Sequence, residues 1–176
     1  VDPVNNQFNM CQPGPAIYPI LANDFIGGSY TVSIVSGPSN GSASINAFDE
    51  LVYTPNPGFV GIDVLTYELC NLCGDCGTAT VTITVDEAPV ANFSGATTGN
   101  TIAFTDLSTG GPTAWFWDFG DGNNSTLQNP THTYAGPGSY TVCLAVNNDC
   151  GQDQICEEFF IEDCEPVDPV NDQFSM

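Results

Sequence analysis

Lysine and arginine are absent from this sequence. Its 176 residues hold 21 aspartates and glutamates, one histidine and a formal charge of −21. Without a cation there is no patch for phosphate, which excludes nucleic acid as a partner. An anionic membrane surface is excluded on the same ground. No Schiff base, arginine clamp, P-loop or lysine–asparagine crosslink can form. The single histidine, His132, lies in an H-T-Y segment with no accompanying nucleophile, so its expected role is a structural hydrogen bond and the chain is read as no enzyme. Helical apolar spacing is missing, as are any run of 18 apolar residues and a secretory leader.

What is present is cysteine, eight in all. In a short acidic chain they indicate an oxidising compartment, so the expected location is extracellular or at the cell surface, with export signals elsewhere. Short period-2 runs separated by Gly, Pro, Asn and Asp predict an all-β fold. In "TATVTITV", Ala79, Val81, Ile83 and Val85 share a face; in "SYTVCLAV", Tyr140, Val142, Leu144 and Val146 do. Each run belongs to a terminal hairpin, and two terminal hairpins predict two disulfide-stapled Ig-like β-sandwiches in tandem. The expected boundaries are 11–86 and 87–163, with 1–10 and 164–176 as connector or edge-strand segments. Cores of this size are small, and disulfides of ~2–4 kcal/mol each would compensate.

Parity and hairpin symmetry pair Cys70 with Cys76 and Cys143 with Cys156 across neighbouring strands. If each domain is a closed set, Cys11 is left with Cys73, and Cys150 with Cys164. The competing reading is a metal–thiolate site at the C-x2-C-x2-C run Cys70, Cys73 and Cys76, with Cys11 as a fourth ligand. The inferred compartment favours disulfides.

Two stretches carry a family resemblance. "AWFWDFGDG" at 114–122, "NPTHTYAGPGSYTVCLAV" at 129–146 and "DLSTG" at 106–110 resemble the polycystic-kidney-disease (PKD) domain, an Ig-like sandwich, over about 89–162. Trp115, Trp117 and Phe119 then anchor its core. "ILANDF" at 20–25, "VSIVSGPSNGSASI" at 32–45 and "LVYTPNPGFVGIDVLTYELC" at 51–70 resemble cadherin-like or bacterial Ig-like repeats, over about 11–86. The pair is similar to repeats in surface proteins of Bacteroidetes-type bacteria. Some modules of both kinds bind Ca²⁺ at domain junctions. The resemblance therefore implies Asp86, Glu87, Asp118 and Asp121 as calcium ligands, with Asp24, Asp63 and Asp75 as weaker candidates. The alternative for Asp118 and Asp121 is that they cap a turn. No cofactor is required, and Ca²⁺ is the cation that oxygen ligands of this kind suit.

The chain begins "VDPVNNQFNM" and ends "VDPVNDQFSM", matching at eight of ten positions with an offset of 166 residues. The expectation is a tandem array of which one period and the start of the next are present. Val4, Phe8 and Met10, and their counterparts Val170, Phe174 and Met176, would form the self-association stripe. The first functional reading is therefore a structural repeat of an extracellular fibre, filament or stalk whose partner is itself, head to tail. The alternative is an adhesive or polysaccharide-binding accessory module of a secreted enzyme or adhesin, for which the outward-facing Phe116 is the aromatic candidate. Asn40, Asn92, Asn123 and Asn124 lie in N-x-[ST] contexts that a bacterium would leave bare.

Overall fold

A computed structural model describes residues 1–162. Cys164, Val170, Phe174, Met176 and the whole second decamer lie outside the described residues. Those described fall into two compact units. The first holds Val1–Pro89 and Asn147–Gln152; the second holds Val90–Val146 and, of the described residues, 153–162.

In the first unit the strands are β1 (Asn6–Cys11), β2 (Ala16–Tyr18), β3 (Tyr30–Ser36), β4 (Gly41–Ile45), β5 (Leu51–Pro55), β6 (Gly61–Asn71) and β7 (Cys76–Asp86). One sheet runs β1-β7-β6-β3, the other β2-β5-β4. The alternation in β7 puts Ala79, Val81, Ile83 and Val85 inside, against Leu65 and Tyr67 of β6 and Leu51 and Tyr53 of β5. The threonines between them stay outside, and their β-branched side chains suit a pleated surface. The first decamer is an integral strand of this sandwich. β1 runs parallel to β7 in unbroken register, from Asn6 opposite Val81 to Cys11 opposite Asp86. Met10 is buried in the core, Phe8 packs against it and stacks on Tyr18 at 4.3 Å, and Val4 is exposed. The even spacing of Phe8 and Met10 thus serves the core of their own unit.

The second unit follows with β8 (Phe93–Thr98), β9 (Thr101–Asp106), β10 (Ala114–Asp118), β11 (Asn124–Ser125), β12 (Thr131–Thr133), β13 (Gly138–Asn148) and β14 (Gly151–Ile161). Its sheets are β11-β10-β13-β14 and β12-β9-β8. Trp117 is wholly buried, edge-on to Phe93 at 5.1 Å and beside Phe104 at 5.2 Å. Its indole N–H donates to the Leu127 carbonyl, which lets so large an amphipathic ring lie in the core. Trp115 is only partly buried at the margin.

Cys70–Cys76 and Cys143–Cys156 are cross-strand disulfides, each with Cα atoms 4.1 Å apart. The third bond corrects the sequence expectation: Cys11 joins Cys150, at a Cα separation of 5.3 Å, and neither is bonded to Cys73 or Cys164. Parity places residues within strands, but Cys150 sits in the turn between β13 and β14, where period 2 no longer applies. That turn packs with the first unit, where the Asn148 side chain donates to the Glu87 carbonyl. The closed-set assumption fails there. This bond spans 139 residues, so in the chain-entropy picture it contributes most of the three, on the order of 5 kcal/mol. Cys73 has no disulfide partner among the described residues and is exposed. The metal–thiolate reading is overturned as well, since Cys11, Cys70 and Cys76 are all in disulfides.

A carboxylate lies in the first core. Asp63 is 3 % exposed and accepts from Ser39 N–H, Asn40 N–H and the Tyr53 hydroxyl, each at 2.9 Å, and from Val64 N–H at 3.0 Å. It ties the β3–β4 loop to β6. Asp63→Ala would orphan buried donors, and we expect a loss of about 2–4 kcal/mol in urea unfolding, with Asp63→Asn losing less. A loss below ~1 kcal/mol for the alanine variant would show that the cluster does not hold the loop.

Candidate functional site

The W-D-F-G-D-G stretch builds a tight turn after β10. Asp118 accepts from Gly120 N–H at 2.9 Å, and Asp121 accepts from Asn123 N–H at 3.0 Å. Gly120 has φ +77°, and a Cβ there would lie 2.4 Å from the Thr141 carbonyl oxygen, so only glycine fits. His132 stacks on Phe119 at 4.2 Å and meets the second oxygen of Asp121 at 2.8 Å through Nε2. Burial raises the Asp121 pKa, but hydrogen bonds from His132 and Asn123 outweigh it and leave the carboxyl below its ordinary value. Tyr134 closes the group by donating to the Phe119 carbonyl. The result is a turn braced by a histidine–aspartate contact.

Of the calcium candidates, Asp118 and Asp121 each accept from donors of their own turn in the second unit, and Asp86 and Glu87 lie in the first unit. Asp24 accepts from Val4 N–H and the Tyr67 hydroxyl, and Asp75 from the Asn71 amide. Among the described residues, the one group close enough to share a metal is Glu68, Cys70 and Cys76, and its two sulfurs are bonded to each other. Asp63, a weaker cation candidate by its charge, is buried, and parity with Leu65, Tyr67 and Leu69 marks it as inward-facing.

The outer face of the β11-β10-β13-β14 sheet offers a different feature. Phe116 on β10 is 48 % exposed and Phe160 on β14 is 65 % exposed, each alternating with inward neighbours. Cys143 and Cys156 are bonded on the same face, which also carries Glu158. A shallow depression beside Phe160 is lined by Thr97, Gly99 and Glu162. Phe160 escaped the sequence reading, although parity with Phe159 and Ile161 exposes it.

Buried tyrosines set the alkaline limit. Burial, then the charges of Asp121, Tyr140 and Asp118, push Tyr134 up to about 12. Burial and a hydrogen bond to Asp63 raise Tyr53, and burial and a hydrogen bond to Asp24 raise Tyr67. A raised folded-state pKa contributes stability that is complete below the unfolded value of ~10 and is lost as pH climbs through the folded value. With no lysine to titrate in that window, we expect the urea midpoint to fall steadily from pH 9.5 to 11.5, and Tyr134→Phe to flatten the fall. A midpoint constant over this range would contradict it.

Comparison with known proteins agrees with this architecture. Residues 86–161 match the PKD domain family, and residues 2–84 match the bacterial Ig domain family. The chain is 37 % identical over 93 residues, 51 % of its length, to a pre-pro-metalloprotease of Vibrio cholerae, of which the match covers 10 %. It is 48 % identical over 44 residues, 25 % of its length, to a collagenase of Bacillus cereus, of which the match covers 5 %. It thus spans a tenth or less of these relatives. The crystal structure of the PKD1 domain of the Vibrio cholerae metalloprotease is 32 % identical, with 43 % of this chain and 99 % of that one covered at a TM-score of 0.42. Drosophila OTK extracellular domains 3–5 share the fold at 17 % identity and a TM-score of 0.50, over 89 % of this chain and 59 % of that one. Both matched modules are non-catalytic. The chain carries a member of the PKD domain family, preceded by a stretch similar to the bacterial Ig domain family.

Proposed function

We propose that this chain is an accessory module of a secreted bacterial enzyme or adhesin, working outside the cell to space its neighbours and to hold an insoluble neutral polysaccharide. The observation that carries this reading is the 37 % identity, over half of the chain, to a metalloprotease of which that stretch is a small part. Three disulfides suit an extracellular location. The outer face of the PKD sheet supplies two exposed phenyl rings, Phe116 and Phe160, that can stack on the apolar faces of sugars, with the Glu158 carboxylate between them in sequence to accept from hydroxyls. The charge of −21 disfavours acidic polymers.

Co-sedimentation with cellulose, chitin and collagen fibrils tests the reading. We expect the chain to pellet with a neutral polysaccharide, and the Phe116→Ala/Phe160→Ala variant to lose most of that binding with its melting temperature unchanged. A chain that stays in the supernatant with both polysaccharides, or a double variant that binds as well as the parent, would contradict it. A second reading, the repeat unit of an extracellular fibre, is favoured by one observation: the last ten residues nearly repeat the first ten.

A further inference from the structure

The β1-β7-β6-β3 sheet of the first unit turns one face to its core and the other outward. Outward on three adjoining strands are Gln7 and Asn9 of β1, Thr82 and Thr84 of β7, and Ile62 and Val64 of β6. Register sets these six in two rows. Gln7, Thr82 and Val64 lie side by side, and so do Asn9, Thr84 and Ile62. The rows are about 7 Å apart along the strands, and neighbours within a row are about 5 Å apart.

The chemistry of these rows is unusual for this chain. None of the six side chains is charged, in a sequence with 21 acids. The next row, Thr66 opposite Thr80, is uncharged as well, and the acids that bound the rows on β6 and β7 are Glu68 and Asp86. Ile62 is 64 % exposed and Val64 46 % exposed, so aliphatic surface meets water in the middle of the sheet. Gln7 and Asn9 are exposed beside it, and an amide both donates and accepts. The outer face of the PKD sheet differs, since its rings stand with Asp118 and Glu158.

We propose that this face of the first unit is a second binding face for a neutral polysaccharide, with Ile62 and Val64 against the apolar faces of the sugar rings and Gln7, Asn9, Thr82 and Thr84 exchanging hydrogen bonds with their hydroxyls. The proposal rests on the polysaccharide reading above and adds to it a site of different composition. Charge selects the occupant. A second copy of a chain with charge −21 is repelled, as is an anionic polymer. A cationic partner finds no carboxylate in these rows to pair with. A neutral polymer meets neither obstacle, and its own repeat suits a surface that offers the same contacts row after row. Each face then holds weakly, and the two on one chain multiply each other's effect, so that losing either forfeits most of the binding.

Co-sedimentation of the full chain with insoluble chitin and cellulose tests it with two variants. Gln7→Glu/Asn9→Asp keeps the shape of the face and gives it two charges. Ile62→Thr/Val64→Thr keeps branched strand formers and removes the aliphatic contact. We expect each to bind the polymer that the parent binds roughly tenfold more weakly, with its melting temperature unchanged. A parent that pellets with neither polymer would contradict the polysaccharide reading and this proposal with it. A parent that pellets and is released by Phe116→Ala/Phe160→Ala, while both variants of this face bind as it does, would overturn this proposal alone. Sedimentation velocity completes the test. A parent that dimerises, with Ile62→Thr/Val64→Thr monomeric, would assign the face to a second copy and overturn the proposal.

Discussion

Asp63 sits in the core of a chain that has no lysine or arginine to neutralise it. Backbone N–H groups and hydroxyls do that work throughout the fold. Asp63 takes four such donors, Asp24 takes Val4 N–H and Tyr67, and Asp106 takes Ser108 N–H, Gln128 and the Trp115 indole. Asp153 takes Ala91 N–H at the entry to the second unit. Hydrogen bonds to a charged acceptor are worth about 1.5–3 kcal/mol each, where an exposed ion pair is worth about 1 or less. Carboxylates thus pin loops to strands through neutral donors, with no lysine or arginine to offset the repulsion among them.

Much of this was legible in the sequence. Threonine alternation in "TATVTITV" specifies one buried face, and the structure buries Ala79, Val81, Ile83 and Val85. The W-D-F-G-D-G and H-T-Y stretches specify the PKD turn because their residues act locally, with glycine supplying positive φ, aspartate the cap and His132 the brace. What was not legible depends on where a turn points. Cys150 carries no parity signal, and only the packing of the 147–152 turn with the first unit shows that Cys11 is its partner. The calcium reading rests on family resemblance alone, while the turn-capping role of Asp118 and Asp121 is visible in the backbone donors they accept from. The charge of Asp63 suggests an exposed ligand, and its place in the inward-facing register of β6 instead buries it.

The two faces of each sheet serve different ends. Inner faces hold two aromatic-rich cores, and β1 covers β7 as the edge strand of its sheet in the first sandwich. The outer faces keep threonine, acids, two disulfides and a few aromatic rings. No side-chain polar atom is left buried without a partner among the described residues.

Carboxylate repulsion, uncompensated by any lysine or arginine, opposes the compact state, and neutral donors sustain it. Thermal unfolding of the intact chain at pH 7 across 10 mM to 1 M sodium chloride measures this balance directly. Screening weakens repulsion and has no lysine or arginine ion pair to weaken with it. We expect a melting temperature that climbs steadily over the series, most steeply at the low end. A melting temperature that stays level or falls as salt is added would contradict it.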